Sequence, residues 1–415
     1  MILDKSLKKV ISRDKQIIKF CLYGFLKDLK FFEPFLLVYL MSNDLNLLQI
    51  GILISIREII INIFEIPSGF IADYIGRKKE LSMCFIFYAV SFVFFFFSKN
   101  FGIAAVAMVF FGLGEAFRSG THKAMIYTYL EEKNWQDNKT YVYGKTRSAS
   151  LIGSAISSLL AIIIILNVPK VGYIFLASII PYILDYILIM TYPKSLDKSA
   201  LQDKISFKAM VKMFGQSIFH NRNLRKILVG EGSFEAVVSS IKDYIQPIME
   251  MLIVGSGILL LKKMSPDDNL HIVLGVLYAF FNVFGSIASR RSYLIKNKFN
   301  SKASLNIMHI ILCLTMLLLG IFIKNPLIIC FIFLIIYLAQ NTRKPIFIDE
   351  IDNNINKCER ATMLSVASQV KSIFVIILAP ILGAVADNFG LQYIMYGLAG
   401  LLFIIFPFIM LKENK

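Results

Sequence analysis

Polar chemistry is scarce in this chain. Five cysteines and four histidines occur among its 415 residues. None stands at the spacing of a metal-ligand set or of a disulfide framework. Cys21, Cys84, Cys313 and Cys330 fall in apolar runs and Cys358 in a polar loop, which reads as small buried side chains plus one loop thiol. The sequence has no phosphate-cradling glycine loop and no nucleophile elbow. An enzyme and an ATP-driven pump are therefore disfavoured, and no metal or cofactor is expected. Charge is also sparse, at 17% of residues, where soluble domains carry about 25%. Acid is scarcer than base, 28 residues against 44, which leaves a net charge of +16.

What fills the chain instead is apolar. Hydrophobic residues make up 57%, Phe alone occurs 36 times, and the mean hydropathy is +0.67. Runs such as Phe94-Phe95-Phe96-Phe97 suit no soluble surface. Each crossing of a bilayer needs about 20 apolar residues, so the length has room for about twelve crossings and short loops. The apolar runs predict spans at 20–41, 47–67, 81–98, 101–129, 145–167 and 170–192, then at 225–254, 271–294, 303–323, 326–348, 362–385 and 390–411. The N-terminus is charged and shows no short apolar core with a cleavage site, so the first span is expected to serve as an uncleaved insertion signal.

The excess of base sits in alternate loops, which is how charge behaves when it sets membrane orientation rather than when it binds nucleic acid. With the N-terminus in the cytoplasm, cytoplasmic segments hold roughly 29 Lys and Arg and external loops about 5. Asn138-Lys139-Thr140 is a glycosylation sequon, but this topology puts it inside. The longest polar stretch, 193–222, contains Lys194, Lys198, Lys204, Lys208, Lys212 and Arg222. Its part 205–219 alternates apolar and basic residues like an interfacial helix. The stretch divides the chain into an expected bundle at 1–192, a cytoplasmic linker at 193–222 and a second bundle at 223–415. The two halves carry similar corners. The fourth span ends in Thr121-His122-Lys123-Ala124 and the tenth in Thr342-Arg343-Lys344-Pro345.

Between the second and third spans lies Gly69-Phe70-Ile71-Ala72-Asp73-Tyr74-Ile75-Gly76-Arg77-Lys78-Lys79. Gly76 permits a tight reversal, Gly69 a close packing, and Arg77, Lys78 and Lys79 stay in cytoplasmic water. This turn, preceded by Glu65-Ile66-Pro67-Ser68, resembles the signature of the major facilitator superfamily, in its prokaryotic twelve-helix type. The resemblance covers nearly the whole chain. It implies an all-α polytopic membrane protein of two six-helix bundles related by a pseudo-two-fold axis, placed in the cell inner membrane with both termini cytoplasmic. It also implies that Gly69, Asp73, Gly76, Arg77 and Lys78 form a latch for the outward-open state. The stretch Gly383-Ala384-Val385-Ala386-Asp387-Asn388-Phe389-Gly390 echoes the turn without its basic residues and reads as a helix end.

Ionisable residues inside spans are costly, at least about 2.5–3.5 kcal/mol at the bilayer centre, and mark solute or ion paths. Lys27, Lys30 and Glu33 in the first span, Arg57 in the second, Glu115 and Arg118 in the fourth, Glu235 and Asp243 in the seventh and Arg343 in the tenth are such residues. Tyr244 and Gln246 stand beside Pro247, whose missing N–H should break the seventh span and leave both side chains near a ligand. Pro34, Pro345 and Pro380 are candidate breaks of the same kind. In the family, spans 1, 4, 7 and 10 line the central cavity, and these charges concentrate there. Glu115 with Arg118, and Lys30 with Glu33, read equally well as intrahelical pairs. His122, at a helix end, reads as interfacial rather than as a proton relay. The expected activity is secondary transport of a small organic solute by alternating access, as a proton-coupled exporter acting as a monomer. Uptake by symport of a sugar, carboxylate or other metabolite is the alternative, and a membrane sensor or scaffold that moves no solute is a third reading. Two departures weaken drug–proton antiport. Met108 stands where family members carry a coupling-linked Arg, and Gly153-Ser154-Ala155-Ile156-Ser157-Ser158 replaces a Gly-Pro motif.

The orientation is testable directly. A single cysteine at position 204, on a background without native cysteines, should resist a membrane-impermeant maleimide in intact cells. Strong labelling from outside would reverse the topology.

Overall fold

The computed structural model describes residues 5–118, 121–197, 222–255, 257, 264–352 and 360–412. The middle of the predicted linker therefore lies outside the described residues. Among the described residues the chain is helical throughout, with no strand. In order, the helices are α1 (Lys5–Arg13), α2 (Lys15–Lys27), α3 (Leu36–Met41), α4 (Leu47–Ile75), α5 (Arg77–Phe96), α6 (Phe101–Arg118), α7 (Thr121–Glu132), α8 (Lys139–Asn167) and α9 (Tyr173–Met190). They continue with α10 (Arg222–Ile241), α11 (Ile245–Glu250), α12 (Pro266–Ile321), α13 (Pro326–Asp352), α14 (Arg360–Phe389) and α15 (Leu391–Ile409). Nine helices among the described residues are long and apolar enough to cross a membrane. Their outer faces stay apolar, with Phe403 and Phe408 of α15 about three-quarters exposed, as lipid-facing surface must be.

Two predicted spans are absent from those nine, and the reason is physical. The span predicted over 20–41 is interrupted. α2 stops at Lys27, a single 3-10 turn covers Glu33–Phe35, and α3 resumes at Leu36. Pro34 has no N–H to continue the ladder. The span predicted over 225–254 is broken likewise, with α10 ending at Ile241, a 3-10 turn at Lys242–Tyr244, then α11 and a π turn at Met251–Gly255. Both breaks carry charge, which lowers hydropathy where the backbone is irregular. Conversely, α12 contains two predicted spans. Asn300 (φ 55°, ψ 172°) turns the chain inside it and separates 266–299 from 301–321.

The chain forms two compact units, one of residues 1–34 with 60–203 and one of 35–59 with 204–415. The helix α4 is thus divided, its first part belonging to the second unit. In the first unit α2 lies on α8 and α9, and α5 lies on α6 and α9. Glycine sets the α2–α8 approach. A Cβ at Gly153 would collide with the backbone carbonyl of Phe25, and one at Gly24 would press on Ser150 and the Thr146 carbonyl. In the second unit α10 lies on α14, and α12 lies on α13 and α15. There a Cβ at Gly232 would strike Val370. The stretch 153–158, unremarkable as a motif, is thus a packing surface.

The second unit also holds 35–59 closely. A Cβ at Gly51 would collide with the Ala379 carbonyl of α14, and one at Gly383 with the Leu47 carbonyl of α4. Pro380 supplies no N–H to the carbonyl four residues earlier, and Ser55 Oγ donates to that carbonyl, Ile376 O, at 2.8 Å. At the start of α4, Asp387 accepts from Leu47 N at 3.0 Å with one oxygen and from Leu48 N at 2.8 Å with the other. The first amides of a helix have no partner of their own, and a carboxylate there also meets the positive end of the helix dipole.

If these glycines set helix approach, their substitution should separate by position. Gly153→Ala should lower the melting temperature of the detergent-purified protein, by the equivalent of about 1–3 kcal/mol for overpacking. Gly144→Ala, on the same helix with open space around it, should leave it unchanged or raise it, since Ala is the better helix former. Equal effects would contradict the α2–α8 contact.

Candidate functional site

The basic turn after α4 is built as its sequence suggests at Gly76. Gly76 has φ 97° and precedes α5. Asp197 accepts from Lys78 N at 2.8 Å, and Lys78 Nζ donates to the carbonyls of Met190 and Tyr192 at 3.1 and 2.9 Å. Arg77 donates to Thr128 Oγ1 at 2.8 Å and is buried. The basic side chains of this turn therefore tie α5 to α7 and to the end of α9, and only Lys79 is exposed. Gly69 differs from expectation, because a Cβ there would meet no atom within 4 Å. It is exposed, and no described residue requires its small size. The side chain of Asp73 lies outside the described residues.

The echo at 383–390 is more than a helix end. Gly390 has φ 100° and precedes α15 as Gly76 precedes α5. Asp387 holds the α4 amides described above. Its role has no local signal in the sequence, because the partner lies 340 residues away.

Within the first unit, the charged candidates converge. Lys27 pairs with Asp28 at 3.3 Å. Lys30 Nζ lies 3.4 Å from Glu115, and Glu115 is also bound by Arg118. Arg118 Nε donates to Tyr88 Oη at 3.1 Å. Lys30, Glu115 and Arg118 keep about a fifth of their side-chain surface accessible. The cluster is thus neither sealed nor fully hydrated. Lys30 was expected beside Glu33. Its ion pair is instead to Glu115, because the helix stops at Lys27 and the i to i+3 geometry is lost. Glu33 lies half-buried in the 3-10 turn. His122 is buried rather than interfacial, its ring stacked on Tyr23 with centroids 3.6 Å apart and its Nε2 3.2 Å from Tyr192 Oη.

Within the second unit, several candidates are already engaged. Gln246 Oε1 accepts from Leu37 N at 2.8 Å and from Val38 N at 3.4 Å, while its Nε2 donates to Tyr278 Oη at 2.9 Å. Tyr278 in turn donates to Asp243 at 3.0 Å. The break at Pro34 leaves the first amides of α3 without intrahelical acceptors, and Gln246 supplies one. It is fully buried in these bonds. Tyr244 is buried too, 4% exposed, and does not face a solvated ligand space.

Arg343 is likewise a structural cation. It bonds Glu231 at 2.7 Å, the Leu305 carbonyl at 2.7 Å and the Gly230 carbonyl at 3.1 Å, and lies 4.4 Å over the Phe234 ring. It is 4% exposed. Arg57 pairs with Glu58 at 2.9 Å, and Ser372 donates to the other Glu58 oxygen at 2.7 Å. Glu235 accepts from Gln340 at 2.9 Å through one oxygen. Its other oxygen is buried with no hydrogen bond.

Removing Arg343 should strand Glu231. Arg343→Ala should cost about 3–5 kcal/mol, as for other broken buried pairs. The double change Glu231→Ala with Arg343→Ala should recover part of that loss, because no buried charge is then left unpaired. Thermal unfolding in detergent measures both, and an Arg343→Ala protein as stable as wild type would contradict the assignment.

Comparison with known proteins agrees with this architecture. Residues 28–347 match the Major Facilitator Superfamily. A 90-residue stretch is 37% identical to YxaM of Bacillus subtilis (strain 168), described as an uncharacterized MFS-type transporter, and the match spans 22% of this chain and 23% of that protein. Among solved structures, the nucleoside transporter NupG superposes with a TM-score of 0.78 at 11% identity, covering 97% of this chain and 100% of that one. A bacterial homolog of the human lysosomal transporter Spinster, described as inward-facing and occupied, gives 0.73 at 14% identity over 96% of each chain. A POT family transporter in complex with a thioalcohol-conjugated peptide gives 0.74 at 12% identity, over 95% of this chain and 94% of that one. At these identities the structures show the fold alone. A family match over most of the length, on a multi-span helical chain, makes this protein a membrane transporter of the major facilitator superfamily.

Proposed function

We propose that the protein exports a small polar organic solute by alternating access, driven by protons, through twelve spans in the inner membrane. The observation that carries the reading is the pair of broken helices. The first span stops at Lys27 and the seventh at Ile241, and ionisable side chains gather at both breaks. Interrupted helices in a membrane are tolerated where the open backbone is buried in protein or lines a cavity, and in transporters they mark binding and gating positions. A cluster of both signs around Lys30, Glu115 and Arg118 suits a zwitterionic or otherwise ionisable solute. Uptake by symport is the competing direction, and vesicles loaded on one side distinguish the two.

The seam of 35–59 against α11 and α14 is the part we assign to gating. Beside the apolar packing of Ile54 on Val375 and Ala379, it carries polar contacts that can exchange for water, namely Gln246 on the α3 amides, Ser55 on Ile376 O and Asp387 on the α4 amides. We assign the turn at Gly69, Asp73, Gly76, Arg77 and Lys78 to the opposite closure, and Asp387 to its counterpart. Each state of the cycle would then make one carboxylate–helix contact.

Two experiments test this. Glu235→Gln and Asp243→Asn are the coupling candidates, because Glu235 has one oxygen free of hydrogen bonds and Asp243 sits in the α10–α11 break. Once a ligand screen by thermal shift has supplied a solute, proteoliposome flux under an imposed pH gradient should lose its gradient dependence in one of the two. Full dependence in both would exclude them. Separately, Asp73→Asn should reduce flux while protein levels stay near normal. Unchanged flux would remove Asp73 from the latch.

A further inference from the structure

Tyr278 is a buried tyrosine with no part in the transport scheme above. It lies in the first part of α12 and is 2% exposed. Its hydroxyl stands between two residues of the break in the seventh span. Gln246 Nε2 lies 2.9 Å from Tyr278 Oη, and Asp243 Oδ1 lies 3.0 Å from the same oxygen. Gln246 in turn holds α3 through the Leu37 and Val38 amides. All of these residues belong to the second unit.

The direction of each bond in this row follows from the groups themselves. Backbone amides only donate, so the side-chain oxygen of Gln246 must face Leu37 and Val38. Its nitrogen is left to face Tyr278, and that nitrogen only donates. Tyr278 Oη therefore accepts from Gln246 and has its single proton left to give. Asp243 Oδ1 receives it. The bonds point one way, from the α3 amides through Gln246 and Tyr278 to Asp243. In a low-dielectric interior such a chain is cooperative, because each bond polarises the next. Its middle is sealed, with Gln246 at 0% exposure, and its Asp243 end is only half-buried. The row thus joins a buried helix start to a carboxyl that a solute can reach.

We propose that Tyr278 is a positioning residue that couples Asp243 to the seating of α3. A solute group that donates to Asp243, such as an ammonium, competes with Tyr278 for that oxygen and weakens the bonds behind it. This coupling rests on the seam of 35–59 acting as a gate, as proposed above, and gives that gate an input.

The test needs no solute. Val38 is 6% exposed, and Val38→Cys keeps the backbone amide. On a background without native cysteines, its rate of reaction with a maleimide in the detergent-purified protein reports how firmly α3 is seated. Asp243→Ala should speed the reaction several-fold, and so should Tyr278→Phe, which removes only the hydroxyl. In the Tyr278→Phe background Asp243→Ala should add nothing, because both changes break one chain. Effects that multiply, as they would if the hydroxyl served packing alone, would overturn the coupling. So would a wild-type rate in Asp243→Ala. Asp387→Ala, which opens the seam outside this chain, separates the two ideas. If it alone speeds the reaction, the coupling is wrong and the gate stands; if no variant does, the gate fails and the coupling with it. Asp243→Leu, which fills the site without an acceptor, takes the place of an Asp243→Ala protein that does not fold. Failure of both to fold, or of Tyr278→Phe, would mark these groups as structural and overturn the proposal.

Discussion

A backbone group released from a helix in a membrane must find another partner, because no water is at hand to supply one. That constraint explains several of the polar contacts in this protein. Pro34 interrupts the first span, and Gln246 receives the stranded amides of Leu37 and Val38. Pro380 leaves Ile376 O open, and Ser55 donates to it. The start of α4 exposes two amides, and Asp387 takes both. Arg343 is a different case: it neutralises Glu231 and adds donors to the carbonyls of Leu305 and Gly230. Each such bond contributes only about 0.5–1.5 kcal/mol net, but leaving the group unmade costs more. Polar residues in these spans are therefore fixed first by the backbone and only then by solute chemistry.

The same constraint makes the seam between 35–59 and the α10–α14 region suitable for repeated opening. Its glycines, Gly51 and Gly383, allow backbones to meet closely. Close backbone packing through small residues is how helices associate where lipid removes the hydrophobic incentive. The bonds across the seam end on amides, carbonyls and carboxylates that water can satisfy when it enters. The seam also carries apolar contact, with Ile54 packed against the cluster of Ala236, Val375 and Ala379, so opening as proposed would expose some apolar surface besides exchanging hydrogen-bond partners.

The sequence made the outline legible and the partners obscure. Apolar run lengths gave the spans, and proline with charge located both broken helices. Gly76 was readable because a positive φ before a basic helix start is a local demand. Charges within one turn, such as Glu115 and Arg118, were also readable as a pair. What stayed hidden depends on distance along the chain. Asp387 looked like an ordinary turn residue because its amides are at Leu47 and Leu48. Gln246 looked like a ligand contact because nothing local shows that α3 needs an acceptor. Gly69 was assigned to packing from its motif, but the space beside it is open.

If gating works as proposed, the Asp387 contact is a closure that opens during transport. Spin labels at Asn46→Cys and Asn388→Cys, both exposed and flanking the contact, report it by pulsed dipolar spectroscopy on a cysteine-free background in liposomes. Two distance populations are expected, a short one and a longer one, with the longer one enriched when Asp387 is changed to Ala. A single short distance that persists in Asp387→Ala would contradict the closure.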